Sequence, residues 1–545
     1  MNAQVPADPA TASETSSTSP ARWHLFPRGI ERWLFPATFF VSWCVLFVGS
    51  WGPAISVDEA ATVVVARRSL AEVLRTVHFD SALEPYYIAM KLWSSVSLSP
   101  VWLRLPSVLA MAAAIGVLVI FVRKLIDLPT AIFVGLVMLA IPAISRYGED
   151  ARPYAFAILG IVVATAFSWR YVRGGQIWDA VGTVVFLLFA ALMHEFSLII
   201  IGAWIVAALI APVAPTRKSA LVRTCVPSAI TVVLMTPYLW IVAQTANGDP
   251  NPLPVSLGNI YLAGWDTVSA SHRNGWAIAL AAVLGMLALL GLVAGWRRDS
   301  NSRRLAVLAA SWLIVPPLVL IAATAVADIP GIVPRYWTLW LPGLAILAAI
   351  GVAALWRISW IPAIASVVVI VLLGLPTQIF IRSYDGRYGA AAVNLPRVLS
   401  QPSLVGLPLW VSTFRWRSIA AIDPQFLIDR APLVQDPAPS GRIHPEISEP
   451  GSADFAKVVA QSPALIVYPS WLEVSGIPKT SDFTTHRSFA PTAAIFSQPW
   501  VRCSYFGRPL AVLAQPSRTA QLAPATVMAA QIVSASGGHA ECVVG

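Results

Sequence analysis

The sequence predicts a polytopic α-helical membrane protein of about eleven transmembrane helices followed by a small extracytoplasmic α/β domain. Three observations predict it. The chain of 545 residues is 57% hydrophobic and 12% charged, with a mean hydropathy of +0.70. Globular cores cannot absorb so much apolar surface, so lipid must solvate most of it. Apolar runs of ~20 residues recur along the first two thirds of the chain. The basic residues collect at alternate ends of those runs, the pattern that sets orientation in a membrane.

Residues 1–30 form the first segment. Met1 to Pro20 is rich in Ser, Thr, Ala and Pro without apolar periodicity, which predicts a disordered cytoplasmic tail. Residues 31–380 make up the transmembrane domain, with runs that begin near Trp33, Val101, Pro129, Pro153, Ile177, Phe196, Thr224, Gly275, Leu305, Tyr336 and Ser359. The first is too long and too aromatic for a cleaved signal segment, so it is expected to stay as a span. The third and fourth runs, and the fifth and sixth, are so close that each pair must be a tight hairpin. Arg28, Arg32, Arg123, Lys124, Arg170, Arg173, Arg217, Lys218, Arg223, Arg297, Arg298, Arg303, Arg304 and Arg357 fall on one side if every run crosses. That side is cytoplasmic by the positive-inside rule. The N-terminus is then cytoplasmic in a multi-pass plasma-membrane protein, and residues 381–545 lie outside. So do the first loop at 53–100, the turn at Arg146 to Arg152, His194, Thr245 to Asn274 and Asp328 to Arg335. The net charge of +10 is thus spread over loops, which excludes a nucleic-acid surface.

In residues 381–545 Pro and charged residues return. Short β-prone runs at Leu409 to Ser412, Ala464 to Tyr468 and Pro509 to Leu513 alternate with a helical stretch at Asp454 to Ala460, as in an α/β domain. Cys503 and Cys542 lie there, either as a disulfide or as two buried thiols. No metal-binding spacing is present among the four cysteines, and no metal or cofactor is expected.

Chemistry concentrates on the outer side. Ser56-Val57-Asp58-Glu59 has the form of a capping box, which by itself is a sufficient structural account of Glu59. Ser69 and Glu72 repeat the pattern. Two short surface helices are expected, with Val63, Val64, Leu70, Val73, Leu74 and Val77 facing the bilayer or the bundle. Asp58 is harder to explain structurally, because a carboxylate at the edge of a span is costly unless paired or hydrated. Asp80 could be an ordinary solvated loop charge; Glu84, Tyr87 and Arg104 follow it. A second dense site, Ser145 to Tyr154, carries Arg146, Tyr147, Asp150 and Arg152, which could form a salt-bridge cluster or hold a phosphate through arginine forks. His194, next to Glu195, and Arg335, next to Tyr336, add a base and a cation on the same side, although a lone His at a span end is commonly just interfacial. There is no phosphate-binding glycine loop. A donor whose phosphate sits at the interface while its lipid chain stays among the helices would suit this set.

The order of these motifs resembles a known family. The acidic pair after the first span, Tyr86-Tyr87, Leu103-Arg104-Leu105-Pro106-Ser107, Ser145-Arg146-Tyr147, Ala151-Arg152-Pro153-Tyr154 and Arg335-Tyr336 together resemble bacterial membrane glycosyltransferases of family 39 in the GT-C superfamily, protein O-mannosyltransferase-like enzymes. The resemblance covers Trp33 to Ile381 and is greatest to actinobacterial membrane mannosyltransferases. It implies a GT-C-like fold and an inverting transfer of a sugar, mannose first, from a polyprenyl-phosphate carrier to a cell-envelope glycan, glycolipid or protein. Asp58 would be the general base with Glu59 beside it. Asp80, Glu84, Tyr87, Arg104, Arg146, Tyr147, Asp150, Arg152, His194, Arg335 and Tyr336 would bind substrate. The chain departs from the family at Leu83-Glu84-Pro85, where a His is common, and at Glu149-Asp150-Ala151-Arg152, where Gln-Glu-Ala-Arg is usual. An arabinosyl or other pentosyl transferase, and a transporter of lipid-linked substrates, are the alternatives.

Overall fold

The fold was analysed in a computed structural model. It describes residues 31–76, 84–245 and 254–412, apart from 273, 328, 330, 385, 388, 389, 406 and 408. Beyond 412 it describes a few isolated residues and the stretches 433–435, 465–468, 501–505, 511–514 and 525–544 apart from 539. The expected tail at 1–30, Asp80, Val77 and the helix at Asp454 to Ala460 lie outside the described residues.

The described transmembrane part is helical throughout. Eight helices among the described residues are long and apolar enough to cross a membrane. They are α1 (Glu31–Gly49), α5 (Pro100–Leu125), α8 (Tyr154–Gly174), α11 (Arg217–Thr245), α13 (Gly275–Arg297), α14 (Ser300–Ala327), the Pro334–Ile358 stretch and α17 (Trp360–Arg382). The Pro334–Ile358 stretch comprises α15 (Pro334–Trp337), a 3-10 turn and α16 (Leu341–Ile358). Two shorter apolar helices, α9 (Ile177–Met193) and α10 (Ile200–Ile210), occupy the fifth and sixth predicted runs, and α12 (Leu257–Ser269) lies in the loop between α11 and α13. The chain is therefore a multi-pass membrane protein.

The third predicted run departs from a simple span. It is split into α6 (Leu128–Ala140) and α7 (Pro142–Glu149), bent by 69°. Pro142 at the start of α7 has no N–H to continue α6, and its ring pushes Ile141 into extended backbone. What the sequence suggests is a tight turn from Arg146 is consequently helix as far as Glu149, and only residues 150–153 turn.

The loop between α1 and α5 holds α2 (Val57–Ala66) and α3 (Leu70–Thr76), as the capping signals predict, and also α4 (Glu84–Trp93), which they did not reveal. Val63, Val64 and Val73 are buried, whereas Leu70 and Leu74 are exposed. The indoles of Trp93 on α4 and Trp102 on α5 stack with centroids 4.4 Å apart and planes 7° from parallel. Each Nε1 donates to the other residue's carbonyl, at 2.8 and 3.0 Å.

The bundle is organised around α16, whose stretch is 89% buried, against 28% for α17 and 22% for α11. Apolar side chains exposed on α11 and α17, such as Val233, Leu234 and Leu372, therefore mark lipid-facing surface. A Cβ at Gly291 on α13 would lie 1.8 Å from the Leu347 carbonyl oxygen, and one at Gly351 on α16 would lie 2.2 Å from that of Leu287. The two glycines thus let the backbones touch, the usual device where lipid supplies no hydrophobic drive between helices. One end of the bundle is tied by Asp127, which accepts from Arg298 at 3.2 Å and Arg357 at 3.0 Å. These basic residues of separate loops share that end, and the predicted site residues lie at the other.

Among the described residues after α17 are α18 (Ala390–Leu399), six short strands and the helix α19 (Ala525–Ala535). The strands are β1 (Leu409–Ser412), β2 (Leu433–Gln435), β3 (Leu465–Tyr468), β4 (Val501–Tyr505), β5 (Ala511–Ala514) and β6 (Ala540–Val544), in the sheet order β2-β1-β3-β5-β4-β6. β1 pairs in parallel with β2 and β3, and the remaining pairs are antiparallel. Cys503 and Cys542, opposite each other on β4 and β6, form a disulfide.

Candidate functional site

The site is assembled by the start of α2. Ser56 Oγ accepts from the Glu59 N–H at 3.1 Å, and Glu59 Oε2 accepts from the Ser56 N–H at 2.8 Å, so the capping box closes in both directions. Glu59 goes further. It is buried and forms a forked pair with Arg104, Nε to Oε1 at 2.7 Å and a terminal nitrogen to Oε2 at 2.8 Å. The remaining Arg104 donors go to the carbonyls of Ser50 (2.8 Å), Pro53 (2.9 Å) and Ala54 (3.0 Å). All five N–H groups of this guanidinium are spent inside the protein. Burial opposes the Glu59 charge, but Arg104 outweighs it and holds the carboxyl down at about 2.

Glu59 also fixes the opposite turn. Its Oε1 accepts from the Ala151 N–H at 2.9 Å, while Thr62 Oγ1 donates to the Ala151 carbonyl at 2.9 Å. Ser107 Oγ on α5 donates to the Arg152 carbonyl at 3.1 Å. The peptide units around Ala151 are thereby clamped between α2 and α5, and Arg152 is set beside Asp58. Its Nη1 donates to the Asp58 carbonyl and to the Tyr87 hydroxyl, both at 3.3 Å, and its buried Nε has no partner among the described residues.

Asp58 differs from its neighbour. Among the described residues its carboxylate accepts no hydrogen bond and forms no ion pair, although the residue is partly buried. Burial alone would raise its pKa. The charges of Arg335, Arg152 and Arg146 more than offset that and hold the carboxyl below its ordinary value. Arg335 stands over the Tyr336 ring at 5.3 Å with no acceptor for its guanidinium among the described residues. Arg146 spends only Nε, on Asp150 at 3.4 Å. Unspent N–H donors from three arginines therefore surround one unpaired carboxylate.

Aromatic rings wall the site. Tyr147 and Tyr154 meet edge to face at 5.1 Å, Tyr154 lies 5.6 Å from His194, and His194 lies 5.1 Å from Tyr336. His194 is buried, and its Nδ1 has no hydrogen-bond partner among the described residues. Burial and the nearby Arg335 and Arg152 charges push its pKa down to about 3, so the imidazole is neutral at any working pH.

Asp58, Tyr87, Arg146, Tyr147, Arg152, His194, Arg335 and Tyr336 thus come together. Glu59, Arg104 and Asp150 belong to buried ion pairs beside them, because their charges are already met by protein groups. Glu84 begins α4, and Asp80 lies outside the described residues. Sequence reasoning left out Tyr154, Glu149, Arg382 and Arg387. Arg382 donates to Glu149 Oε1 at 2.6 Å, and Arg387 bonds both Glu149 and Asp150. A signal for two of these was present: Arg382, the last residue of α17, and Arg387 just past it stand on the side where the charge pattern does not place basic residues. Among the described residues no group of three or more His, Cys, Asp or Glu is arranged to hold a metal ion.

Fold and site together define a multi-pass helical membrane protein with a cluster of arginines and aromatic rings around one carboxylate at one end of its bundle. No family model and no curated protein matches the chain. Among solved structures it is similar to ArnT from Cupriavidus metallidurans bound to undecaprenyl phosphate, with TM-score 0.53 and 14% identity over 90% of this chain and 98% of that one. The apo state of the same protein gives TM-score 0.53 and 14% identity over 88% and 97%. The apo oligosaccharyltransferase of Archaeoglobus fulgidus gives TM-score 0.45 and 10% identity over 91% and 76%. At 14% identity the likeness to ArnT is one of fold.

Proposed function

We propose that the chain is a membrane glycosyltransferase of the GT-C superfamily that moves a sugar from a polyprenyl-phosphate carrier to an acceptor outside the cytoplasmic membrane. One observation carries the reading: among the described residues the Asp58 carboxylate is left unpaired near Arg146, Arg152 and Arg335, each of which keeps donors that no protein group takes up. A base beside a phosphate clamp is what such a transfer needs. The fold shared with ArnT, a protein solved with undecaprenyl phosphate, supports it.

In this mechanism the acceptor hydroxyl gives its proton to Asp58 as its oxygen bonds the anomeric carbon. The bond from that carbon to the phosphate oxygen breaks on the opposite face, and the configuration inverts. The departing polyprenyl phosphate carries its negative charge into the arginines, where preorganised donors stabilise it. Tyr87, Tyr147 and Tyr336 offer hydroxyls to donor and acceptor, and neutral His194 offers a ring nitrogen. Glu59, Arg104 and Asp150 hold the scaffold. The step as written balances without a metal or cofactor, so a chelator should leave turnover of purified protein unchanged; loss of turnover would refute that part.

Mannose is the sugar we propose, on the resemblance of the motif order to family 39. The cell-envelope acceptor, the cytoplasmic N-terminus, the crossing of the membrane by α6 with α7, α9 and α10 to make eleven spans, and an extracytoplasmic C-terminal domain belong to the same proposal. The Cys503 and Cys542 disulfide supports the last, because such bonds persist in oxidising compartments. The test is transfer from radiolabelled polyprenyl-phosphate mannose by the purified chain and by Asp58→Asn. We expect the variant to lose ~10²–10⁴-fold in rate. Equal rates would remove Asp58 from the mechanism, and no transfer by either would exclude this donor, with polyprenyl-phosphate arabinose the next to try.

A further inference from the structure

Arg387 lies just past α17, 1% exposed. Its Nε donates to the Ile381 carbonyl at 3.2 Å. One terminal nitrogen donates to the Glu149 carbonyl at 3.0 Å and to Asp150 Oδ1 at 2.8 Å, and the other bonds Glu149 Oε2. The second oxygen of Asp150 accepts from Arg146 Nε at 3.4 Å. One carboxylate is therefore shared by two guanidinium groups, closely with Arg387 and loosely with Arg146.

This sharing matters for an anion bound at Arg146. A carboxylate that closed on Arg146 in a forked pair would occupy the N–H groups a phosphate needs and cancel the charge that attracts it. Holding Oδ1 on the far side prevents that closure. We infer that Arg387 is a positioning residue for the donor phosphate: it retains Asp150 and so leaves the terminal nitrogens of Arg146 free for the phosphate. The inference rests on the assignment of Arg146 to the donor phosphate made above. It also makes the chain just beyond the last span part of the site.

Removing Arg387 need not collapse the fold, because Glu149 keeps its bonds from Arg382 at 3.0 and 2.6 Å. The test is a cycle of Arg387→Met, Asp150→Asn and the double variant in the full-length purified chain. Two quantities are read, the affinity for undecaprenyl phosphate and the donor KM against kcat. Arg387→Met should weaken undecaprenyl phosphate binding and raise donor KM by about tenfold, with kcat within about twofold. In the Asp150→Asn background the same change should alter either quantity by less than about twofold.

Additive effects across the cycle, or a fall in kcat at unchanged donor KM, would overturn the inference. Should Arg387→Met fail to accumulate, Arg387→Lys keeps the charge but cannot reach both carboxylates. A raised donor KM in Arg387→Lys supports the inference, and an unchanged one overturns it. A folded wild-type chain that does not bind undecaprenyl phosphate removes the donor reading and this inference together. A wild-type chain that binds it while the cycle is additive removes only the role of Arg387.

Discussion

Asp58 has no partner for its charge among the described residues while three arginines hold its pKa down, and this has a measurable consequence. The free protein should hold Asp58 as a base through the ordinary carboxylate range, so kcat/KM should fall only when pH drops below ~3.9. Once donor phosphate has met the arginine charges, their pull on Asp58 weakens, and the acid limb of kcat should lie at higher pH than that of kcat/KM. Coincident limbs would show that the donor does not bind at those arginines.

Glu59 stands differently. Its pKa is depressed, so its contribution to stability is present above about pH 4.5 and is lost as pH falls toward about 2. Arg104→Met, which strands this buried carboxylate, should cost ~3–5 kcal/mol, read as a lowered melting temperature in detergent. Half of the Glu59 environment was legible: the capping box follows from Ser56 and Glu59 three positions apart. The other half was not, because Arg104 and Ala151 lie far along the chain and nothing in local spacing shows that they meet. Likewise Arg146, Arg152 and Arg335 were legible as candidates, while their spare donors became evident only from the partners each one lacks.

At the scale of the element, hydropathy located every long helix but was blind to direction. The run from Leu128 through Ile144 is continuously apolar, so the 69° break at Pro142 left no trace in composition, although Pro142 itself is a breaker. α4 was missed because its ten residues are too short for a span signal, and the expected surface helices were assigned to the two capping boxes. The α13 and α16 contact gives a sharp test. At Gly351 any side chain meets the Leu287 carbonyl of the neighbouring backbone, which cannot swing aside as a side chain would. Gly351→Val should therefore destabilise by more than the ~1–3 kcal/mol typical of overpacking against side chains. Gly285→Val, on the same helix as Gly291 but with nothing within 4 Å, is the control and should melt close to the wild type.

Over the whole molecule, loop charges were legible because the bundle sorts them. Asp127, Arg298 and Arg357 join at one end, and the Asp58 site occupies the other. If that basic end is cytoplasmic, a reporter active only outside the cytoplasm should work when fused after Gly545 and fail when fused before Met1; the reverse result would invert the topology. The sheet beyond α17 was legible only in part. β1, β3 and β5 lie on apolar runs, whereas β4 alternates Val501, Cys503 and Tyr505 with Arg502 and Ser504 and gains strand character from its neighbours β5 and β6.

The Trp93 and Trp102 pair carries a practical consequence. Two indoles stacked face to face at 4.4 Å couple their electronic transitions, so the docked α4 contributes a paired circular-dichroism band that separated indoles would not. Because α4 also bears Tyr87, that band would follow the seating of one wall of the site in unlabelled protein. Replacing either tryptophan with phenylalanine should abolish the band as a pair rather than by half, identifying its source among the other indoles.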